Sequence, residues 1–315
     1  MTTSEGTARL LLGKPIAADI RAGVEAEVAG FRDRHGRAPG LAVVLVGRDA
    51  PSTVYLEQIL RGCAKVGIDG RFVEVELGDD GAAADGVEAA VVRAIRDLGE
   101  DPEVNGIIVQ MPLPREVRLR AVIEAIDPAK DIDGIHPLNA GLLRLGYDGF
   151  LPATAHAAIE ILRRSDIPMA GRDAVVIGRS PVVGQPAAFL LVREDATVTV
   201  CHSRTQDLAA HVSRADIVVV AAGRPGLVTG AMLKPGAVVV DVGINVVDDK
   251  LVGDVDFDSA VQVASAITPV PGGVGPLTNA LLLSHLVRAA LAQVEGRGPA
   301  IVESAAGSPA MRGAR

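Results

Sequence analysis

The residues of this chain whose types and spacing suit chemistry begin with Gly178-Arg-Ser-Pro-Val-Val-Gly184. The stretch follows a continuous apolar run, Ala174 to Ile177, as expected of a parallel strand buried on both faces, and precedes an Ala- and Leu-rich segment that reads as a helix. Glycines bracketing such a turn let the backbone approach a pyrophosphate, whose charge rests against the N–H groups at the start of the helix. The spacing departs from G-x-G-x-x-G: Ser180 stands at the middle glycine, Val183 at the third, and Gly184 comes one place late. Alone, the stretch reads either as a dinucleotide-binding turn or as an ordinary strand-to-helix turn. The next strand ends in Cys201-His-Ser-Arg-Thr205, where a fold selecting a free ribose 2′-hydroxyl carries a carboxylate. None is present. Ser203 and Arg204, with Arg179, offer hydroxyl and guanidinium donors suited to a 2′-phosphate, which favours NADP over NAD. His202 reads as a stacking group, a proton shuttle or neither.

Two polar sites lie earlier. Gln110 ends the apolar strand Gly106 to Val109, and ligands of open α/β sheets collect outside the carboxyl ends of strands. It is either a pocket residue or an amide that satisfies its own loop. Asp131 and Asp133 in Lys130-Asp-Ile-Asp-Gly-Ile-His-Pro137 suit a metal, an anchor for a ligand amine, or an Asx-turn, and the lack of a third carboxylate makes metal the weakest of these. The loop Thr268-Pro-Val-Pro-Gly-Gly-Val-Gly-Pro276 combines prolines that fix φ with glycines that permit close approach.

The elements that must position these residues alternate along the chain. Ile16, Ile20, Val24, Val28 and Phe31 mark an amphipathic first helix. Strands are predicted at 41–46, 71–77 and 106–109, with helices at 52–66, capped by Ser52, 85–98 and 116–126. Strand, helix, strand without a hairpin turn means a parallel crossover. A composition break at 146–152 precedes a helix at 154–164, strands at 173–177, 197–201, 216–221 and 237–241, a helix at 208–212, and a closing helix at 277–294. The expected architecture is α/β with two domains: residues 1–150 completed by helix 277–294, then residues 151–276, with 295–315 a disordered tail.

The composition agrees with this. At 315 residues and 49% hydrophobic the chain suits two globular cores. A net charge of −8, no Lys/Arg cluster and 2% aromatics argue against a nucleic-acid surface. No run is expected to span a bilayer, and Met-Thr-Thr-Ser-Glu lacks the features of a signal peptide, so a cytoplasmic location is expected. Cys63 and Cys201 have no zinc or redox spacing and read as buried thiols.

Taken together, Pro39 to Gly47, Gly106 to Pro114, Lys130 to Gly134, Val176 to Ser180 with Val183-Gly184, Asp241 to Asn245 and Thr268 to Pro276 resemble the signature segments of the bifunctional methylenetetrahydrofolate dehydrogenase/methenyltetrahydrofolate cyclohydrolase family, in order, over about residues 8 to 295. The resemblance implies a folate-binding first domain and a Rossmann-like NADP-binding second domain across a cleft, in a homodimer joined through the cofactor domains. It implies that Tyr55, Gln110 and Asp133 line the folate site with Pro271 and Gly272. It also implies that Gly178, Arg179, Ser180, Gly184, Ser203, Arg204 and Ile244 hold NADP, without a metal. The chain departs from the family where a lysine usually follows the tyrosine by four residues and serves the cyclohydrolase step. Here that residue is Ile59, in Tyr55-Leu-Glu-Gln-Ile59, and an isoleucine exchanges no proton. Ala153, Ala155 and Asn279 are smaller departures.

Three activities follow: a dehydrogenase with weak or lost cyclohydrolase activity, a full bifunctional enzyme using another proton-transfer group, or a silent binder of folate or NADP.

Overall fold

Residues 8–47, 50–75 and 86–296 are described by the computed structural model, with the backbone alone for 50–55. The chain begins with β1 (Arg9–Leu10) and α1 (Gly13–His35). Strand β2 (Gly40–Val46), helix α2 (Ala50–Val66), β3 (Asp69–Val75), α3 (Val87–Glu100) and β4 (Gly106–Val109) follow. They build a three-stranded sheet of order β3-β2-β4, parallel throughout. Helices α4 (Leu119–Ala125), α5 (Pro137–Leu145) and α6 (Ala153–Arg164) lead to β5 (Asp173–Ile177), α7 (Gly184–Arg193) and β6 (Thr197–Cys201). After α8 (Leu208–Val212) come β7 (Ile217–Val220), β8 (Val238–Asp241), β9 (Asn245–Val247) and β10 (Lys250–Val252). Helix α9 (Phe257–Ala260), β11 (Ala266–Ile267) and α10 (Val274–Val294) close the fold.

The second sheet has the order β1-β11-β8-β7-β5-β6, again parallel. Its run of Val, Ile and Ala at β5, β7 and β8 is buried on both faces, as the continuous apolar pattern requires. Because β6 pairs on one side of β5 and β7 on the other, the strand order reverses beside β5, which opens a crevice at its carboxyl end. The small sheet reverses in the same way around β2, which puts Gln110 at the end of β4 beside it, its N–H bonded to the Val44 carbonyl at 2.8 Å.

Several elements differ from expectation. Residues 8–12 do not stay with the first unit: β1 pairs with β11 at the edge of the second sheet, and Leu11 packs in that sheet's core. Two-residue strands carry no readable period. Ser52 lies inside α2, which starts at Ala50, since Pro51 is admissible in a first helical turn. Helix α10 starts three residues early for the same reason, with Pro276 in its first turn. Helix α5 was not anticipated, although Pro137 opens it, the His136 imidazole accepts from Leu138 N–H, and Gly146 closes it at φ 77°. The β9–β10 hairpin turns on Asp248 and Asp249, both at positive φ, the signature of a type I′ turn. The ends predicted at Leu77 and Asp85 and the tail from residue 297 lie outside the described residues.

Contrary to expectation, α10 is long and apolar enough to cross a membrane by length and composition. Its packing explains the composition. Leu277 and Leu281 sit in the core under the large sheet, and Leu282, Leu283, Leu286 and Val287 sit in the core under the small one. A helix wedged between two cores is apolar nearly all round.

Candidate functional site

The turn after β5 is built for close approach. Gly178 holds φ 125°, and a Cβ there would stand 2.1 Å from the Ala221 carbonyl oxygen at the end of β7. A Cβ on Gly184 would stand 2.3 Å from the Gly178 carbonyl oxygen, so the start of α7 packs directly on the turn. The Ser180 hydroxyl accepts from the N–H groups of Val183 (3.1 Å) and Gly184 (3.3 Å). A hydroxyl has two acceptor lone pairs and one donor. With both lone pairs engaged, Ser180 passes the positive end of α7 outward through its O–H, which replaces the bare glycine turn as the anion donor. This cradle fits a pyrophosphate.

Arg179, Ser203 and Arg204 are exposed beside it. Thr205 Oγ1 accepts from His202 N–H at 2.9 Å and His202 Nδ1 accepts from Arg204 N–H at 3.2 Å, which makes His202 a turn former. Ile244 is 68% exposed at the carboxyl end of β8, a solvent-facing apolar side chain of the kind a flat ring system covers. The loop around it is fixed by two buried carboxylates. Asp241 accepts from the N–H groups of Gly243, Asp254 and Val255, and burial pushes its carboxyl up to about 6 despite them. Asp254 accepts from Ala222, Gly223 and Arg224 N–H and from Asn245. Sequence reading missed both, since a buried carboxylate aimed at loop amides has no local pattern. A cleft of about 500 Å3 lies nearby, lined by Asp241, Asp256 and Asp258 among others, and contains none of the residues expected to hold the cofactor. Its carboxylates disfavour phosphate.

In the first unit, the two aspartates of the 130–137 segment have different surroundings. Asp131 is fully buried and accepts from Ile135 N–H (3.1 Å), His136 N–H (2.7 Å) and Asn139 Nδ2 (2.8 Å), an Asx-type anchor for the loop. Asp133 is half-buried. Burial pushes its carboxyl up to about 7, the charge of Asp131 adds to this, and the Ala153 N–H at the start of α6 offsets part of it. Among the described residues no three His, Cys, Asp or Glu side chains stand together as metal ligands.

Gln110 is buried, and its Nε2 donates to the Met111 carbonyl at 3.2 Å, so one end of the amide does serve its own loop. Gly272 is tied to the start of α1 through its carbonyl, which accepts from Gly13 N–H at 2.9 Å. Tyr55 lies on α2, and its side chain is outside the described residues. Ile59, one turn on, is 3% exposed and shares the small-sheet core with Leu56, Cys63, Leu283 and Leu286. The nearby cations do not stand in for it: Arg61 pairs with Glu57 at 2.6 Å on the outer face, and Lys65 is exposed.

Two family models match the chain: the catalytic domain of tetrahydrofolate dehydrogenase/cyclohydrolase at residues 11–133, and the NAD(P)-binding domain of the same family at residues 152–294. The chain belongs to the tetrahydrofolate dehydrogenase/cyclohydrolase family. It is 49% identical over 292 residues to the bifunctional protein FolD of Roseiflexus sp. (strain RS-1), covering 92% of this chain and 99% of the relative. Among solved structures it resembles the bifunctional FolD enzyme of Campylobacter jejuni, with TM-score 0.86, 38% identity, and coverage of 91% and 99%. It also resembles the Trypanosoma brucei dehydrogenase-cyclohydrolase, a complex with NADP and an inhibitor, with TM-score 0.85, 39% identity, and coverage of 91% and 98%. The family assignment makes the β5–α7 turn part of an NAD(P)-binding domain and the segment ending at Asp133 part of the catalytic domain.

Proposed function

We propose that the protein oxidises 5,10-methylenetetrahydrofolate to the 5,10-methenyl cation with NADP, and that the cyclohydrolase step to 10-formyltetrahydrofolate is weak or lost. The carrying observation is the buried apolar Ile59 one turn after Tyr55, on a site otherwise furnished with Gln110, Asp133 and an anion-binding turn. Bound NADP supplies the hydride acceptor. The protein's part in that step is positioning, because hydride loss from the methylene carbon needs little proton transfer. In this reading Asp133, when ionised, accepts from the ring N–H and amino group of the pterin, Tyr55 covers the pterin, and Pro271-Gly272 completes the wall. Ser180 holds the pyrophosphate side of the cofactor, while Arg179 and Arg204 face the 2′-phosphate. Hydrolysis of the methenyl cation does require proton movement, and Ile59 supplies none.

Following NADPH and the methenyl chromophore together tests this. NADPH accumulating with persistent methenyl product supports the reading; rapid decay of the chromophore supports a full bifunctional enzyme; ligand binding without turnover supports a silent paralogue. For the cofactor, Arg204→Ala combined with Arg179→Ala is expected to raise the KM for NADP about tenfold or more while leaving that for NAD within about twofold, since only the 2′-phosphate loses a partner. Equal losses for both cofactors would refute the assignment of the two guanidinium groups. The reading includes a cytoplasmic location and a homodimer joined through the cofactor unit; the β9–β10 hairpin, which exposes Val246, Val247 and Leu251, supports the dimer alone.

A further inference from the structure

Two histidines far apart in sequence, His285 buried and His156 half-buried, meet behind Asp133. His285 on α10 is 3% exposed, and its Nδ1 lies 2.8 Å from the carbonyl oxygen of Ile132, the residue before Asp133. Its Nε2 lies 3.1 Å from Nδ1 of His156 on α6, the rings nearly parallel at 7° with centroids 5.3 Å apart. The partners assign the protons. A carbonyl only accepts, so His285 Nδ1 carries hydrogen; neutral His285 then accepts at Nε2, and His156 donates from Nδ1. Burial keeps both imidazoles neutral, holding His156 down to about 3 with the help of the Arg163 and Arg288 guanidinium groups, and His285 well below its ordinary range with the help of His156 and Arg288.

Arg288 itself is fixed above the Phe150 ring at 4.9 Å and donates to the Gly149 carbonyl at 2.6 Å. The arrangement closes on the loop from two sides. Ile132 is met by α10 through His285, the His156–His285 bond ties α10 to α6, and α6 begins at Ala153, whose N–H acts on the Asp133 carboxyl.

We propose that His285, backed by His156, is a positioning residue for substrate: by fixing the Ile132 carbonyl it sets where Asp133 presents its carboxylate to the pterin. The inference rests on the reading of Asp133 as the folate anchor. Nothing else about the reaction involves the pair, so its loss acts on folate binding and not on the cofactor. A hydrogen bond to a backbone carbonyl one residue from a ligand carboxylate shifts that carboxylate by a fraction of an ångström, enough to weaken two charge-assisted bonds.

The test is steady-state kinetics on four variants of the full chain. His285→Leu is expected to raise the KM for methylenetetrahydrofolate about tenfold, with kcat and the KM for NADP changed less than about twofold. His285→Asn, whose amide nitrogen overlays Nδ1, is expected to recover most of that loss by restoring the bond to Ile132. Leu286→Ala, the neighbouring cavity variant on the same helix, lowers Tm without moving KM. In an Asp133→Asn background, His285→Leu is expected to add little, because its effect runs through Asp133.

A folate KM unchanged in His285→Leu, a rise of equal size in Leu286→Ala, or full additivity with Asp133→Asn overturns the proposal. If His285→Leu does not fold, His156→Leu, expected to raise KM severalfold, carries the same test. Should Asp133→Asn alone leave the KM unchanged, the reading of Asp133 fails; should it raise KM while the histidine variants do not, only the present inference fails.

Discussion

Ile59→Lys is expected to raise cyclohydrolase activity by about a hundredfold or more, the contribution of one positioned proton-transfer group, while leaving the dehydrogenase rate within a few-fold. The same substitution is expected to lower stability by about 2–4 kcal/mol, because it replaces a 3%-exposed apolar side chain by an ammonium that must be led out of the core. The two effects have one cause. Residues 55 and 59 share a helix face, one turn apart, and Ile59 sits where that face joins the core with Leu56 and Cys63. A lysine stem there would lie along the apolar wall and deliver its head toward Tyr55. The surroundings would depress the ammonium pKa, as they push the Cys63 thiol up to about 12 by burial. Decay of the methenyl chromophore and thermal melts of the two proteins check both halves. A variant that folds yet hydrolyses no faster would mean that another group already serves the step, or that the site lacks more than a lysine.

The second large effect concerns Asp133 and pH. Its carboxyl is pushed up to about 7 in the free protein, chiefly by burial. The unfolded value is about 3.9. Between these limits the folded chain binds a proton the unfolded chain does not, so this group's stabilising contribution is full below pH 4 and is lost as pH rises through 7. Ligand binding runs the other way. On the proposed reading the pterin offers Asp133 two donors, which only the ionised carboxylate accepts at both oxygens, so kcat/KM is expected to rise with pH and level off above about 7.

In the complex those donors lower the carboxyl's pKa, so the kcat profile is expected to turn over at lower pH than the kcat/KM profile. Asp133→Asn presents an NH2 group to the ligand's donors. It is expected to lower kcat/KM about a hundredfold and to remove the inflection near 7. A wild-type inflection that survives in the variant would assign the titration to another group.

How much of this was legible beforehand follows from where the information lies. Strands β2, β4, β5 and β6 were placed to within a residue because each is a compact β-rich run bounded by punctuation: Pro39-Gly40 before β2, Gln110 after β4, Gly178 after β5. Gln110 and Asp133 announced themselves as polar groups at strand ends or in turn-rich loops. The histidine pair did not, since His156 and His285 are 129 residues apart and each sits inside an apolar helix pattern. Nor did the burial of Ile59: the resemblance reads that position as part of the site, whereas the structure places the side chain in the small-sheet core with Leu56 and Cys63. Strands β1 and β11, two residues each, are defined wholly by pairing with partners distant in the chain.

The exchange of chain ends has a consequence for how the molecule is made. Residues 8–12 precede β11 by more than 250 residues yet find their place against it, and Gly13 N–H bonds the Gly272 carbonyl across the same separation. The last helix, in turn, supplies Leu282, Leu283 and Leu286 to the core of the unit that contains β2. Each half therefore waits for a piece carried by the other end of the chain. Contacts of such sequence separation form slowly, because the intervening segment must be closed into a loop before any of them is rewarded. The β2 core lacks Leu282, Leu283 and Leu286 until α10 is in place, which couples the formation of the two units.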